Sequence, residues 1–187
     1  IVNTMGVSVS AAFAVVNRID DFAYTPEQNI AHAMTALMAQ NKGAGKIDRM
    51  KEGFRCGIIL ETIYGILIFI ICFALARPLM MMFVKDEEVI GHGVTYLHLI
   101  SVMYLLPALT NGIQGFFRGI GDLKITLISS FINMALRVLA AAPLVFIWKM
   151  GIEALPYSYL AGWIGMLVAE TPLLLKTYKT WGKKAGQ

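Results

Sequence analysis

Residues 89–117 read VIGHGVTYLHLISVMYLLPALTNGIQGFF and contain no Asp, Glu, Lys or Arg. A helix rises about 1.5 Å per residue, so about 20 residues cover the roughly 30 Å hydrocarbon core of a bilayer. Four further stretches are comparably apolar, and each carries a single charged residue, Glu27, Glu61, Arg137 or Glu170. The sequence therefore predicts five complete membrane spans, at 22–41, 56–76, 93–117, 125–148 and 154–175.

The composition agrees with a membrane protein made of helices. Hydrophobic residues make up 57% of the chain and charged residues 15%, whereas a soluble domain has about 25% charged residues. A soluble helical bundle of this size has too little interior to hide five helices that are apolar all round. We expect an all-α, polytopic transmembrane bundle that is surrounded by membrane lipid.

The basic residues are concentrated on one side of the predicted membrane. The net charge is +4, and in a membrane protein such an excess indicates topology rather than nucleic acid as a partner. Eleven Lys and Arg residues lie in the segments that we assign to the cytoplasm, and three lie in the outer loops. We therefore expect a multi-pass protein of the plasma membrane, the inner membrane in a bacterium.

The first 17 residues carry no charge, and without a basic region or a small-residue cleavage site they do not resemble a signal peptide. We expect residues 1–6 to be the remnant of a preceding helix that ends near Gly6. With this remnant, residues 1–187 form one six-helix lobe, and nothing in the composition divides them further.

Two predicted spans carry polar residues along one helical face, at steps of three and four. One face contains Asp21, Thr25, Gln28, His32 and Thr35, and the other Tyr104, Pro107, Asn111, Gln114 and Arg118. Polar side chains are costly in lipid, so each face should contact protein or a water-filled cavity. Both a hydrogen-bonded packing seam and a cavity wall satisfy this requirement. His32 is also a candidate proton carrier, and the GxxxG spacing of Gly115 and Gly119 permits close helix contact.

Arg137 needs a partner, because a guanidinium near the membrane centre costs at least about 2.5 kcal/mol. By helical rise it lies at a depth similar to that of Glu27 and Asn29. We expect it to pair with one of them or to extend to the outer interface. Glu61 and Glu170 lie only about 8 Å from the cytoplasmic boundary by the same rise, so we expect both to be hydrated there.

The chain lacks the common catalytic and metal-binding motifs. The run Gly43 to Lys46 has Ile47 where a phosphate-binding loop needs Ser or Thr. No histidine or cysteine pair has the spacing of a zinc site. Cys56 and Cys72 lie about 24 Å apart along one predicted helix, too far for a disulfide. We predict that the chain is not an enzyme and binds no metal cofactor.

Two motifs in register with these spans resemble the multidrug and toxic compound extrusion (MATE) transporters. The run from Ala12 to Gly45 is similar to the second helix of their carboxy-terminal lobe, with the characteristic QNxGAG end at Gln40 to Gly45. The run from Gln114 to Asp122 resembles the RGxGD turn that follows the tenth helix of the family. The resemblance covers essentially the whole chain, from the end of helix seven through helix twelve.

The resemblance implies one six-helix lobe of a two-lobe transporter. The whole protein would export cationic or amphipathic small molecules by alternating access, in exchange for Na⁺ or H⁺ and without another cofactor. The amino-terminal lobe of the same protein would be the partner of this one. Some members bind a cation at an acidic residue in the tenth helix, where this chain has Asn111 and Gln114.

On this basis we assign candidate roles to named residues. The candidates for cation or proton coupling are Asp20, Asp21 and Glu27. The candidates for the substrate cavity are Gln28, His32, Tyr104, Asn111, Gln114, Asn133 and Arg137. A lipid-linked oligosaccharide flippase of related architecture and a non-transporting membrane scaffold are the alternative functions.

Overall fold

The computed structural model describes residues 5–184 as a bundle of helices. The helices are α1 (Val7–Gly43), α2 (Ile47–Ala74), α3 (Ala76–Met81), α4 (Glu87–Ser101), α5 (Leu105–Gly119), α6 (Leu123–Phe146) and α7 (Ala154–Lys184). No strand occurs within the described range. The predicted all-α fold class is confirmed.

Three of these helices are long and apolar enough to cross a membrane: Ile47–Ala74, Leu123–Phe146 and Ala154–Thr180. The pair α4 and α5 adds a fourth crossing if the two are taken as one bent span. The helix that contains the predicted span 22–41 is not among them, because polar residues interrupt its apolar sequence. Protein contacts compensate for this polarity, since α1 packs against α2, α4 and α5.

Helix α1 begins earlier than the sequence predicted. It starts at Val7, directly after Gly6, whose φ of 109° is unfavourable for other residues. It then continues through Pro26 to Gly43. Residues 7–21 therefore extend the helix that was predicted to start at residue 22. Of the predicted remnant at 1–6, residues 1–4 lie outside the described part of the chain.

The predicted span at 93–117 is bent rather than straight. Helices α4 and α5 meet at an angle of 51° across a break between Ser101 and Leu105. Pro107 lies in the first turn of α5, where proline is tolerated because its missing N–H has no intrahelical partner there. The same residue in one continuous helix would leave the carbonyl of Met103 without its donor. Apolar composition alone does not reveal such a break.

Helices α1 and α5 run parallel and keep one register over most of their length. The Tyr104 hydroxyl donates to Asp20 across a separation of 84 residues, and Asn111 is paired with Glu27 at the same separation. Ala31 faces Gly115 and Thr35 faces Gly119, again with the same separation. The Thr35 hydroxyl also donates to the Gly115 carbonyl, at 3.1 Å. The close helix contact predicted from GxxxG is confirmed.

The turns of the two family-like motifs meet at one end of the bundle. Gly45 and Gly121 both have positive φ, 67° and 80°, as tight turns after helix ends often require. The Lys42 ammonium group donates to the carbonyl of Ile120. This contact joins the α1–α2 turn to the α5–α6 turn, which the sequence assigned to the same cytoplasmic side.

Replacing Gly115 with Ala should destabilise the protein. An added Cβ would lie 2.6 Å from the Ala31 carbonyl oxygen, a backbone atom that cannot move independently. Overpacking of this kind costs about 1–3 kcal/mol. Unfolding of the detergent-solubilised protein measures the loss.

Gly91→Ala is the matched control, because nothing lies within 4 Å of a Cβ at this helical position. Alanine is the better helix former, so stability should stay the same or rise. Equal stability of the Gly115→Ala variant and the parent would contradict the close α1–α5 contact.

Candidate functional site

A cavity of about 300 Å³ opens among α1, α5, α6 and α7. Its wall combines amides, hydroxyl groups, one guanidinium, aromatic rings and a thioether. The lining residues are Tyr24, Gln28, Pro107, Thr110, Asn111, Gln114, Ser130, Asn133, Arg137, Trp163 and Met166. A wall with this mixture suits a small amphipathic molecule.

The cavity brings together most of the residues that the sequence assigned to it. Gln28, Asn111, Gln114, Asn133 and Arg137 all contribute to its lining. His32 and Tyr104 do not. His32 lies on an exposed face of α1, and Tyr104 is fully buried between helices.

Tyr104 anchors the first of the candidate coupling residues. Its hydroxyl donates to Oδ1 of Asp20 at 2.5 Å, and the exposed fraction of Asp20 is 5%. Its neighbour Asp21 lies on the exposed face of α1 instead and forms a 3.8 Å ion pair with Arg18. The two adjacent carboxylates therefore occupy different environments, because successive helical residues point about 100° apart.

Glu27, the third candidate for coupling, is completely buried behind the cavity wall. Its Oε2 accepts a hydrogen bond of 3.5 Å from the Asn111 amide, and its Oε1 has no partner among the described residues. Glu61 of α2 is also completely buried and interacts electrostatically with Glu27. Neither Glu61 oxygen has a hydrogen-bond partner within the described chain. A buried carboxylate with so few partners is expected to take up a proton or a cation.

Glu170 of α7 is a third completely buried glutamate. The Gln114 amide nitrogen donates to its Oε1 at 3.3 Å and also lies 3.4 Å from the Ser130 hydroxyl. The expected interfacial hydration of Glu61 and Glu170 is therefore wrong, because neighbouring helices cover both side chains. Depth along the helix axis does not determine which face of a helix is covered.

The sequence contains a signal for the burial of these two glutamates. Gly57, Glu61 and Gly65 follow one another at steps of four, and so do Gly162, Met166 and Glu170. Residues at such steps share one helical face, and glycine on that face permits close approach of another helix. All six residues are buried.

Arg137 does not form either of the expected pairs. Its guanidinium lies 3.7 Å from the centre of the Tyr159 ring, and no described carboxylate lies within ion-pair distance of it. A stacked cation of this kind gains about 0.5–2 kcal/mol from the ring. Gly162 makes room for it, since a Cβ there would lie 2.6 Å from Cγ of Arg137.

Metal-binding side chains do not cluster anywhere in the described chain. No three His, Cys, Asp or Glu residues between positions 5 and 184 are arranged to hold an ion. Cys56 and Cys72 are both free thiols. The buried carboxylates Asp20, Glu27, Glu61 and Glu170 lie instead at the contacts between helices.

Comparison with known proteins agrees with this architecture. A sequence model of the MatE family matches residues 1–142. The chain belongs to the MATE family. Both motif turns, at Gln40 to Gly45 and at Arg118 to Asp122, lie within the matched region.

Curated MATE relatives are similar along the whole chain. The chain is 30% identical over 190 residues to the probable multidrug resistance protein YoeA of Bacillus subtilis. The alignment covers 98% of this chain and 39% of that protein. It is 24% identical to the probable multidrug resistance protein NorM of Thermotoga maritima, of which it also covers 39%. The chain thus spans about two fifths of the length of these curated relatives.

Solved MATE structures share the fold. A MATE protein crystallised in complex with MaD3S superposes with a TM-score of 0.90, at 16% identity, over 96% of this chain and 40% of that one. An inward-facing MATE structure superposes with a TM-score of 0.82 over 88% of this chain and 37% of that one. The predicted lobe fold is confirmed.

Replacing Tyr104 with Phe should lower the free energy of unfolding by about 1–3 kcal/mol, the cost of leaving a buried acceptor without its donor. The Asp20 carboxyl group would lose its donor while remaining buried. Tyr157→Phe is the control, because that side chain is 40% exposed.

A double-mutant cycle with Asp20→Ala, which removes the acceptor oxygens, separates this bond from general packing. A coupling energy above about 0.5 kcal/mol between positions 20 and 104 is expected for a direct contact. Additive effects of the two changes would contradict the assignment.

Proposed function

We propose that this chain forms the carboxy-terminal lobe of a secondary active transporter in the plasma membrane. The transporter exports cationic or amphipathic compounds in exchange for Na⁺ or H⁺. The amino-terminal lobe faces the cavity, and the two lobes rock around the bound substrate, as repeat-built transporters generally do.

The observation that carries this proposal is the contact between Asn111 and Glu27. Asn111 lines the cavity, while Glu27 is fully buried behind it and accepts the hydrogen bond of Asn111. A charge change at Glu27 therefore reaches the cavity through one amide, without direct contact between substrate and carboxylate.

This arrangement allows the coupling ion and the substrate to compete. An ionised Glu27 attracts a cationic group in the cavity and holds the Asn111 amide nitrogen. A proton or Na⁺ on Glu27 removes the negative charge and weakens that hydrogen bond. A difference in substrate affinity between the two states is what exchange requires.

The alternative functions find less support. A flippase for pyrophosphate-linked lipids needs several cationic side chains, whereas the described cavity wall contains a single one, Arg137. A scaffold does not need a polar cavity inside its membrane domain. The curated relatives are described as probable multidrug resistance proteins, which also favours a transporter.

Glu27→Gln should reduce gradient-driven ethidium efflux at least about fivefold, the lower range of typical coupling between sites. Glutamine keeps the side-chain length and an acceptor for Asn111, but it cannot ionise. Efflux is measured in cells that produce this lobe together with its amino-terminal half, with and without a sodium gradient.

The matched control is Glu52→Gln, which neutralises an exposed carboxylate of α2. It should leave efflux at the parent level. Unchanged efflux in the Glu27→Gln variant, at equal protein abundance, would remove Glu27 from the coupling mechanism. Absence of ethidium efflux in the parent would count against the multidrug proposal itself.

A further inference from the structure

Helix α7 supplies a second buried carboxylate behind the cavity, at a position to which the sequence assigned no role. Glu170 is completely buried, although four residues earlier on the same face Met166 lines the cavity. One oxygen of Glu170 accepts from Gln114, and Oε2 has no hydrogen-bond partner among residues 5–184. A fully buried carboxyl group with one unsatisfied oxygen is costly in a membrane.

Gln114 connects this carboxyl group to the cavity. It lines the cavity together with Ser130, and its amide nitrogen lies within 3.4 Å of Ser130 and 3.3 Å of Glu170. Since the nitrogen is occupied by these two acceptors, the carbonyl oxygen of the amide remains for a ligand. An ionised Glu170 therefore orients an acceptor toward donors such as the N–H groups of a cationic substrate.

The arrangement repeats the one at Glu27. Asn111 and Gln114 lie three residues apart on α5, so they share one helical face. Each contributes to the cavity wall, and each donates to a buried glutamate on a different helix, Glu27 on α1 and Glu170 on α7. Helix α5 thus links two separate carboxyl groups to one cavity.

We propose that Glu170, acting through Gln114, is a second binding site for the coupling cation, distinct from Glu27. This inference rests on the proposed function. Glu170 takes up H⁺ or Na⁺ when the site faces the outer solution and releases it on the cytoplasmic side. With the cation bound, the carboxyl group is neutral and its hydrogen bond from Gln114 is weaker. A cationic substrate and the coupling cation therefore oppose each other.

The charged group that acts on Glu170 from the neighbouring helices is Arg118 of α5, and the Ser129 hydroxyl of α6 also favours the ionised carboxyl group. The guanidinium of Arg118 opposes the binding of a second positive charge at Glu170. The site is therefore suited to reversible occupancy rather than to permanent retention of an ion.

The test uses the complete two-lobe transporter in proteoliposomes, with ethidium as the transported probe. A pH gradient and a sodium gradient are imposed in separate experiments, which distinguishes H⁺ from Na⁺. The number of cations that enter per ethidium exported should fall by one in the Glu170→Gln variant. At low cation concentration its ethidium affinity should be at least about fivefold weaker than that of the parent, because the variant resembles the cation-bound state.

Glutamine at position 170 keeps an acceptor for Gln114, so a purely structural hydrogen bond would survive the change. An unchanged cation-to-ethidium ratio and an unchanged response of ethidium affinity to the cation would overturn the proposal. Glu52→Gln is again the control, because its carboxylate is exposed. No ethidium exchange in the parent would refute the proposed function rather than this site.

Gln114→Ala provides a second test that leaves Glu170 in place. The variant should still bind the cation, but ethidium affinity should no longer respond to occupancy of Glu170. The change of ethidium affinity with cation concentration should equal the change measured for the Glu170→Gln variant. A response equal to that of the parent would show that Gln114 does not connect the two sites.

Discussion

The in-register contact between α1 and α5 is the constraint on which the other features depend. Two helices that keep one separation over four successive contacts must run parallel at nearly constant distance. The glycines at 115 and 119 make this distance short, since a Cβ at either position would lie 2.6 Å from a backbone oxygen of α1. Small residues serve the same purpose in many membrane helix pairs.

The position of the polar groups follows from this register. Once Gly115 lies against Ala31, the residues one turn earlier, Asn111 and Glu27, must also face each other. The same register places Tyr104 next to Asp20, near the point where α4 and α5 meet. The bend at this point lets α4 and α5 both pack against α1. Polar contacts inside the bundle thus replace the water that lipid excludes.

The close contact also determines which residues of α5 remain free to line a cavity. The glycine face of α5 is covered by α1, whereas Gln114 on the neighbouring face and Asn111, one turn before the glycines, line the cavity toward α6 and α7. Helices α6 and α7 approach each other closely through Gly162 and Gly165. The cavity lies between these two closely packed helix pairs.

The sequence predicted those features that depend on hydrophobicity and helical period. The spans at 125–148 and 154–175 nearly coincide with α6 and the membrane part of α7, because their apolar runs are interrupted only once each. The early start of α1 and the break before α5 were not predicted, because a hydropathy pattern contains neither the buried contact of Asp20 with Tyr104 nor the backbone requirement of Pro107. Gln28, Asn111 and Gln114 were found from their spacing, whereas the burial of Glu61 and Glu170 required knowledge of which faces are covered.

The most direct test of this account is whether Asn111 lies on the water-accessible path of the substrate. In the complete transporter with Cys56 and Cys72 replaced by Ala, a cysteine is introduced by Asn111→Cys. The control is Phe131→Cys, whose native side chain is 77% exposed on the apolar helix α6 and does not line the cavity. The rate of reaction with a membrane-impermeant thiol reagent is measured with and without ethidium. We predict that position 111 reacts, that ethidium slows its reaction, and that position 131 does not react. Failure of position 111 to react, or reaction at a rate that ethidium does not change, would contradict the assignment of this cavity as the substrate site.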